Sequence, residues 1–319
     1  MRTTEAEPFS SPISPNILAG SSARVERVTG ETAHQILADL IAWLCRGEWK
    51  PASVCIGTYG ATMSERGEIN GISRDEGSPL NGQDIRKIVS RLFSENGASP
   101  TLSVETDVGV YAIGENYMRA LPRSDGTAEL TTKDPIAFGF FSGGVGAAVC
   151  QNLRLIRGLQ VGHRGKMPVY PHPLDLSHGF RPVHRFPFSI EAMTCVSSIK
   201  SRATLIDGFD GSLADLIQRP EAKTWDIVAY YIAMFCFSLV VNYSPRLIVL
   251  GGRTVTHPTF MLERVRQSYS ELTRNTLAID RGTSLEAGDP HSFIQLPHSI
   301  ETCLYGSLEV ARRQFEKDR

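Results

Sequence analysis

Apolar and polar positions along the chain separate into two periods. Between Glu31 and Cys45 the apolar residues Ile36, Leu37, Leu40, Ile41 and Leu44 recur at helical spacing. Thr29 stands ahead of them as an N-cap, so the pattern predicts an amphipathic helix. The stretch from Ser53 to Ile69 reads as a buried strand followed by a glycine-bearing turn, and Asp84 to Phe93 returns to helical spacing. From Leu102 to Glu115 a β-branched lead gives way at Asp107 to small and apolar residues at helical spacing, which predicts a strand running into a helix. Ile136 to Gly158 predicts two apolar strands about a glycine-rich turn. After a charged helix and turn from Asp207 to Ala222, Trp225 to Val241 predicts a buried helix. Pro245 to Gly252 predicts a strand ending in two glycines, and Leu262 to Leu272 and Ser299 to Arg312 predict two more helices. Residues 1 to 22, rich in Ser and Pro, predict a loose arm with no apolar signal core.

Composition narrows the function classes. A chain of 319 residues has room for two ordinary domains. With 41% hydrophobic residues, 21% charged residues and a net charge of −1, it gives no electrostatic reason to expect nucleic acid or an anionic membrane as partner. The longest apolar run, Ile227 to Val241, falls short of a membrane span. Six scattered cysteines, none in a C-x-x-C pair, read as reduced thiols of a cytoplasmic protein.

The chemistry centres on Asp107. A carboxylate where a strand meets a helix lies in the crevice where open α/β sheets bind ligands, and the helix N-terminus favours its ionised form. It is a candidate base, and by spacing alone a more ordinary candidate for a helix cap. The turn that begins at Ser142 reads as a tight hairpin that needs glycine for positive φ.

The order of these elements resembles the ROK family of sugar kinases, in particular its fructokinase branch. There the strand–helix segment reads N-D-x-N-A-A-x-G-E; here Thr106 stands for the Asn, Asp107 for the catalytic Asp, and Gly114 and Glu115 for the closing pair. The resemblance implies two actin-like ATPase domains of the ribonuclease-H type around a cleft, with Asp107 taking the proton of the sugar hydroxyl that attacks Mg-ATP. It places the arm at 1–22, an N-terminal α/β domain at 23–118, incomplete relative to the family, and a C-terminal α/β domain at 119–319.

On the sugar side the resemblance implies Gly60 of a G-x-x-G with Gly57, then Thr106, Gln160 in place of an acid, His163 and Glu191. On the nucleotide side it implies Ser142, Gly143 and Gly144 of the hairpin and the Gly251–Gly252 pair. The D-x-G-G-T phosphate motif of the family is not found, and the hairpin has lost a threonine and two glycines. The branch's zinc segment keeps His163 and His184 but has Arg181 and Pro187 at its cysteine positions, so no structural zinc is expected. These losses leave three readings: a fructose-preferring ATP-dependent kinase; an ATP-independent enzyme using Asp107 and His163 as acid and base; and a non-catalytic sugar-binding or partner-binding relative. A homodimer is expected from the family, with Phe260 or Trp225 as apolar contact surface.

Overall fold

The computed structural model describes residues 30–46, 50–58, 61–63, 69–73, 80–157, 163–175, 188–273, 289–299 and 301–317. The arm at 1–22, Thr29, Gly60, Gln160 and the zinc-like segment around His184 lie outside them.

Helix α1, Gly30–Cys45, turns Ala33 and Ile41 inward. Strand β1, Ser53–Thr58, precedes a short antiparallel pair, β2 at Ala61–Met63 and β3 at Ile69–Ser73. Helix α2, Ile85–Glu95, starts where Asp84 accepts the Lys87 amide at 3.2 Å, and it buries Ile85, Val89 and Phe93, one per turn. Strand β4, Thr101–Thr106, pairs with β1 in parallel register, Ser53 opposite Thr101 through Thr58 opposite Thr106. Helix α3, Asp107–Met118, follows β4 with no intervening loop. Residues of α1, α2, β1 and β4 share one apolar core around Phe93.

A five-stranded sheet forms the second half. Strands β5, Ile136–Phe141, and β6, Val145–Gln151, make the hairpin expected from the sequence, and β7, Arg154–Leu155, extends β6. After a 3-10 turn at His163–Lys166 come α4, Ile190–Thr194; α5, Val196–Asp207; α6, Leu213–Ile217; and α7, Lys223–Tyr243. Strand β8, Leu247–Gly251, leads to α8, Arg253–Thr256, α9, Met261–Thr273, and α10, Pro290–Phe293. Strand β9, Ile294–Gln295, and helix α11, Thr302–Lys317, complete the described chain. The sheet order is β7-β6-β5-β8-β9, with β5, β8 and β9 parallel.

Alternation along β5, β6 and β8 gives this sheet two apolar faces. Ala137, Phe141, Val149, Ile248 and Leu250 face α7, whereas Ile136, Phe138, Cys150, Leu247 and Val249 pack with Val108, Ala112 and Ile113 of α3. Helix α7 is long and apolar enough to cross a membrane, but Trp225, Tyr231, Phe235 and Leu239 are wholly buried in the protein core. Trp225 therefore offers no contact surface, contrary to the expectation from sequence. An apolar run that feeds a core looks the same in text as one that feeds a surface. Phe260 is itself partly buried, stacked edge-on against Trp225 at 5.7 Å. The described cysteines are free thiols.

The last helix returns to the first half. Helix α11 packs along α3, β1 and β4, and the two helices cross backbone to backbone. A Cβ on Gly114 would lie 1.9 Å from the Thr302 carbonyl oxygen, and one on Gly306 would lie 1.8 Å from that of Val110. Only glycine permits so close a crossing.

Candidate active site

The junction of β4 and α3 puts Asp107 at the carboxyl end of a parallel strand. Thr106, not Asp107, is the cap: its Oγ1 accepts the Gly109 amide at 3.1 Å. Asp107 is thereby left as the first helical residue, half-buried, its Oδ1 accepting the Val108 amide at 2.8 Å. Burial pushes its carboxyl above the ordinary aspartate range, and the Val108 amide works against that rise. A partly desolvated carboxylate, still open to one side, is a stronger base than one in water.

Beside it lies an acid that sequence reading passed over. Glu105 is 2% exposed and ion-paired to Arg157, while its Oε1 accepts the Thr106 amide at 2.9 Å. A signal for it was present: an acid between Val104 and Thr106 inside an apolar strand is buried, and buried acids are found with partners.

Strand β6 gathers the other parts around Asp107. A Cβ on Gly146 would lie 2.6 Å from Val108 Cγ1, so the start of β6 presses on the first turn of α3. On the adjacent residue, a Cβ on Gly165 would lie 2.0 Å from the Val145 carbonyl oxygen, which seats the turn opened by His163 against β6. The exit of that turn is tied to α4, because the Ile190 amide donates to the Met167 carbonyl at 2.9 Å. Glu191 stands in the first turn of α4, 7% exposed, behind a Ser189 cap that accepts the Ala192 amide at 3.1 Å. Asp107, the His163 backbone and Glu191 therefore belong to elements that meet around Val145 and Gly146. Gly60 and Gln160 lie outside the described residues.

The segment after the turn is anchored from below. Asp175 Oδ2 accepts from Arg202 at 3.0 Å and from the Tyr231 hydroxyl at 2.7 Å, and Tyr231 in turn accepts the His172 amide at 3.0 Å. His172 is engaged locally: its Nδ1 accepts the Leu174 amide at 3.1 Å, and burial lowers its pKa.

The glycine turns sit at the carboxyl ends of β5 and β8. The Ser142 amide donates to the Gly144 carbonyl at 3.0 Å, and Gly143 at the tip is exposed, with no heavy atom within 4 Å of a Cβ placed on it. Gly143, Gly144 and Gly146 all avoid positive φ, which overturns the hairpin-strain reading. Close packing explains Gly146, and open space surrounds Gly143. Gly252 does have φ +90, and a Cβ there would lie 2.2 Å from the Phe141 carbonyl oxygen, while Gly251 pairs with Phe140. The two turns follow neighbouring parallel strands, at the strand ends where such sheets usually bind ligands. Exposed tip backbone with free space over it suits a phosphate group.

A model of the ROK family matches residues 17–288. The chain is 27% identical over 288 residues to a fructokinase of Streptococcus mutans, spanning 88% of this chain and 87% of that protein. Among solved structures it resembles the ROK hexokinase from Thermus thermophilus, with TM-score 0.68, 18% identity, and coverage of 94% of this chain and 91% of the other. It also resembles a ROK family glucokinase from Streptomyces griseus in complex with glucose and AMPPNP, with TM-score 0.59, 17% identity, and coverage of 92% and 91%. The fold is therefore the two-domain, actin-like ATPase fold expected from the sequence.

Proposed function

Because this chain belongs to the ROK family, we propose that it is a sugar kinase that transfers the γ-phosphoryl group of Mg-ATP to a hydroxyl of a fructose-like hexose. The observation that carries the reading is Asp107: freed from capping by Thr106, half-desolvated, and followed by Val108, which packs on Gly146 of the strand that leaves the glycine hairpin.

In this mechanism Asp107 takes the proton of the attacking hydroxyl as its oxygen bonds to the γ-phosphorus and the bond to the β-phosphate oxygen breaks, releasing ADP. The Val108 amide on Oδ1 orients the carboxylate so that Oδ2 faces the hydroxyl. Bound Mg-ATP supplies the phosphoryl group and, through the metal, neutralisation of its charge. The Ser142–Gly144 turn and the Gly251–Gly252 backbone hold the phosphates and the nucleoside, while Glu191, Gln160, Gly60 and the His163 turn hold the sugar. Thr106 positions the base rather than touching the sugar, since its hydroxyl is already engaged. We place the enzyme in the cytoplasm, where ATP and free hexose meet.

The test is ADP release by the purified protein with Mg-ATP and a panel of hexoses. ADP forms only with a hexose present, and Asp107→Asn lowers the rate by about 10²–10⁴-fold while calorimetry still detects the sugar. ADP release that ignores either the hexose or the Asp107 substitution would refute the reading.

A further inference from the structure

The Glu105–Arg157 ion pair joins the two sheets two residues before Asp107. Glu105 lies on β4 of the first sheet, and Arg157 stands two residues beyond Leu155, the last residue of β7 at the edge of the second. One carboxylate oxygen of Glu105 faces Arg157. The other accepts both Thr106 donors, the amide at 2.9 Å and the hydroxyl at 3.4 Å, and that hydroxyl oxygen caps Gly109. The chain of contacts therefore runs from the edge of the second sheet to the amide of the third residue of α3.

Gly109 is cut to fit this arrangement. A Cβ there would lie 2.7 Å from Thr106 Oγ1, 2.8 Å from Leu155 Cδ1 and 3.0 Å from Glu105 Oε1. The glycine makes room for the cap, the carboxylate and the β7 side chain together. Within the first turn of the helix that presents Asp107, three parts from two sheets converge on one missing side chain.

We propose that Glu105 and Arg157 are positioning residues that lock the Thr106–Gly109 turn, and with it the aim of Asp107, to the edge of the five-stranded sheet. This rests on the sugar-kinase reading for its effect on rate, but not for its effect on the turn. The pair acts through geometry: one Glu105 oxygen is held by Arg157 and the other by the Thr106 donors, so the carboxylate fixes the turn relative to the sheet edge. A base displaced by about 1 Å loses on the order of a hundredfold in rate.

The experiment is a double-mutant cycle of Glu105→Gln and Arg157→Met in the full chain, with Arg157→Lys as the conservative variant. Assayed well below the melting temperature of each variant, each single substitution lowers kcat by about tenfold to a hundredfold with hexose KM held, the double variant is no slower than the worse single, and Arg157→Lys recovers part of the rate. Losses that multiply in the double variant, or a hexose KM that rises in step with the fall in kcat, overturn the proposal. Hydrogen exchange supplies a readout that needs no turnover. The Thr106 and Gly109 amides exchange about tenfold faster in the single variants while the α2 amides do not. Unchanged exchange at Thr106 and Gly109 overturns the proposal even where hexose-dependent ADP release fails, which is the separate failure of the kinase reading.

Discussion

At the far end of α3, Glu115 has no exposed surface, and each of its oxygens is filled. Oε2 takes Arg119 at 2.9 Å, and Oε1 takes the His298 amide at 2.8 Å and the Thr302 hydroxyl at 3.1 Å. Arg119 in turn reaches Glu129 and Gln295, both at 2.6 Å, and the Leu296 carbonyl at 3.0 Å. At the near end, Asp107 is half-buried, receives the Val108 amide, and carries a carboxyl raised by desolvation. The same helix thus builds one carboxylate as a saturated joint between elements and the other as a group that, among the described residues, takes only backbone amides. A saturated charge holds structure, whereas an under-stabilised one is available to take a proton.

Breaking the joint has the larger effect on the fold. Arg119→Met leaves Glu115 buried against only the Thr302 hydroxyl and the His298 amide, and should cost about 3–5 kcal/mol in urea unfolding. A loss below about 1 kcal/mol, the range of surface ion pairs, would erase the contrast between the two ends.

The Asp107 end should respond in the opposite direction. A carboxyl whose pKa is raised in the folded state gives stability that is present below the unfolded value of about 3.9 and is lost as pH rises through the folded value. At neutral pH the ionised group therefore opposes folding, so Asp107→Asn should raise the melting temperature there and leave it unchanged in acid. The same rise places the acid limb of the kcat profile above the ordinary aspartate range. A limb at about pH 3.9, or an Asn variant that melts lower at pH 7, contradicts a carboxyl raised by burial.

The smallest effects separate the glycines of the two strand-end turns. Gly252→Ala meets positive φ and the Phe141 carbonyl, and should cost more than about 1 kcal/mol. Gly143→Ala meets nothing, and its stability should stay within about 0.5 kcal/mol while affinity for Mg-ATP falls. Unchanged nucleotide affinity in calorimetry would remove the hairpin tip from the phosphate site.

Much of this was legible in the text of the chain. The strand–helix junction at Asp107, the β5–β6 hairpin, the buried α7 and the β8 strand ending in Gly251 follow from period and punctuation, which are local properties. The capping residue was misjudged, because Thr106 and Asp107 are both good caps and their order alone does not say which one faces the helix amides. Glu105 was passed over because its partner Arg157 lies fifty-two residues away in sequence.

What the sequence by itself determined are the long elements, their order and the family to which they belong. The tertiary structure alone decided what each glycine is for: Gly114 and Gly306 let two helices touch, Gly146 and Gly165 bring a helix and a turn onto β6, and Gly109 makes room for a carboxylate. A glycine in text signals only that a side chain is missing. Which neighbour fills the space depends on contacts between residues far apart in the chain, and those exist only once the sheets and helices have packed.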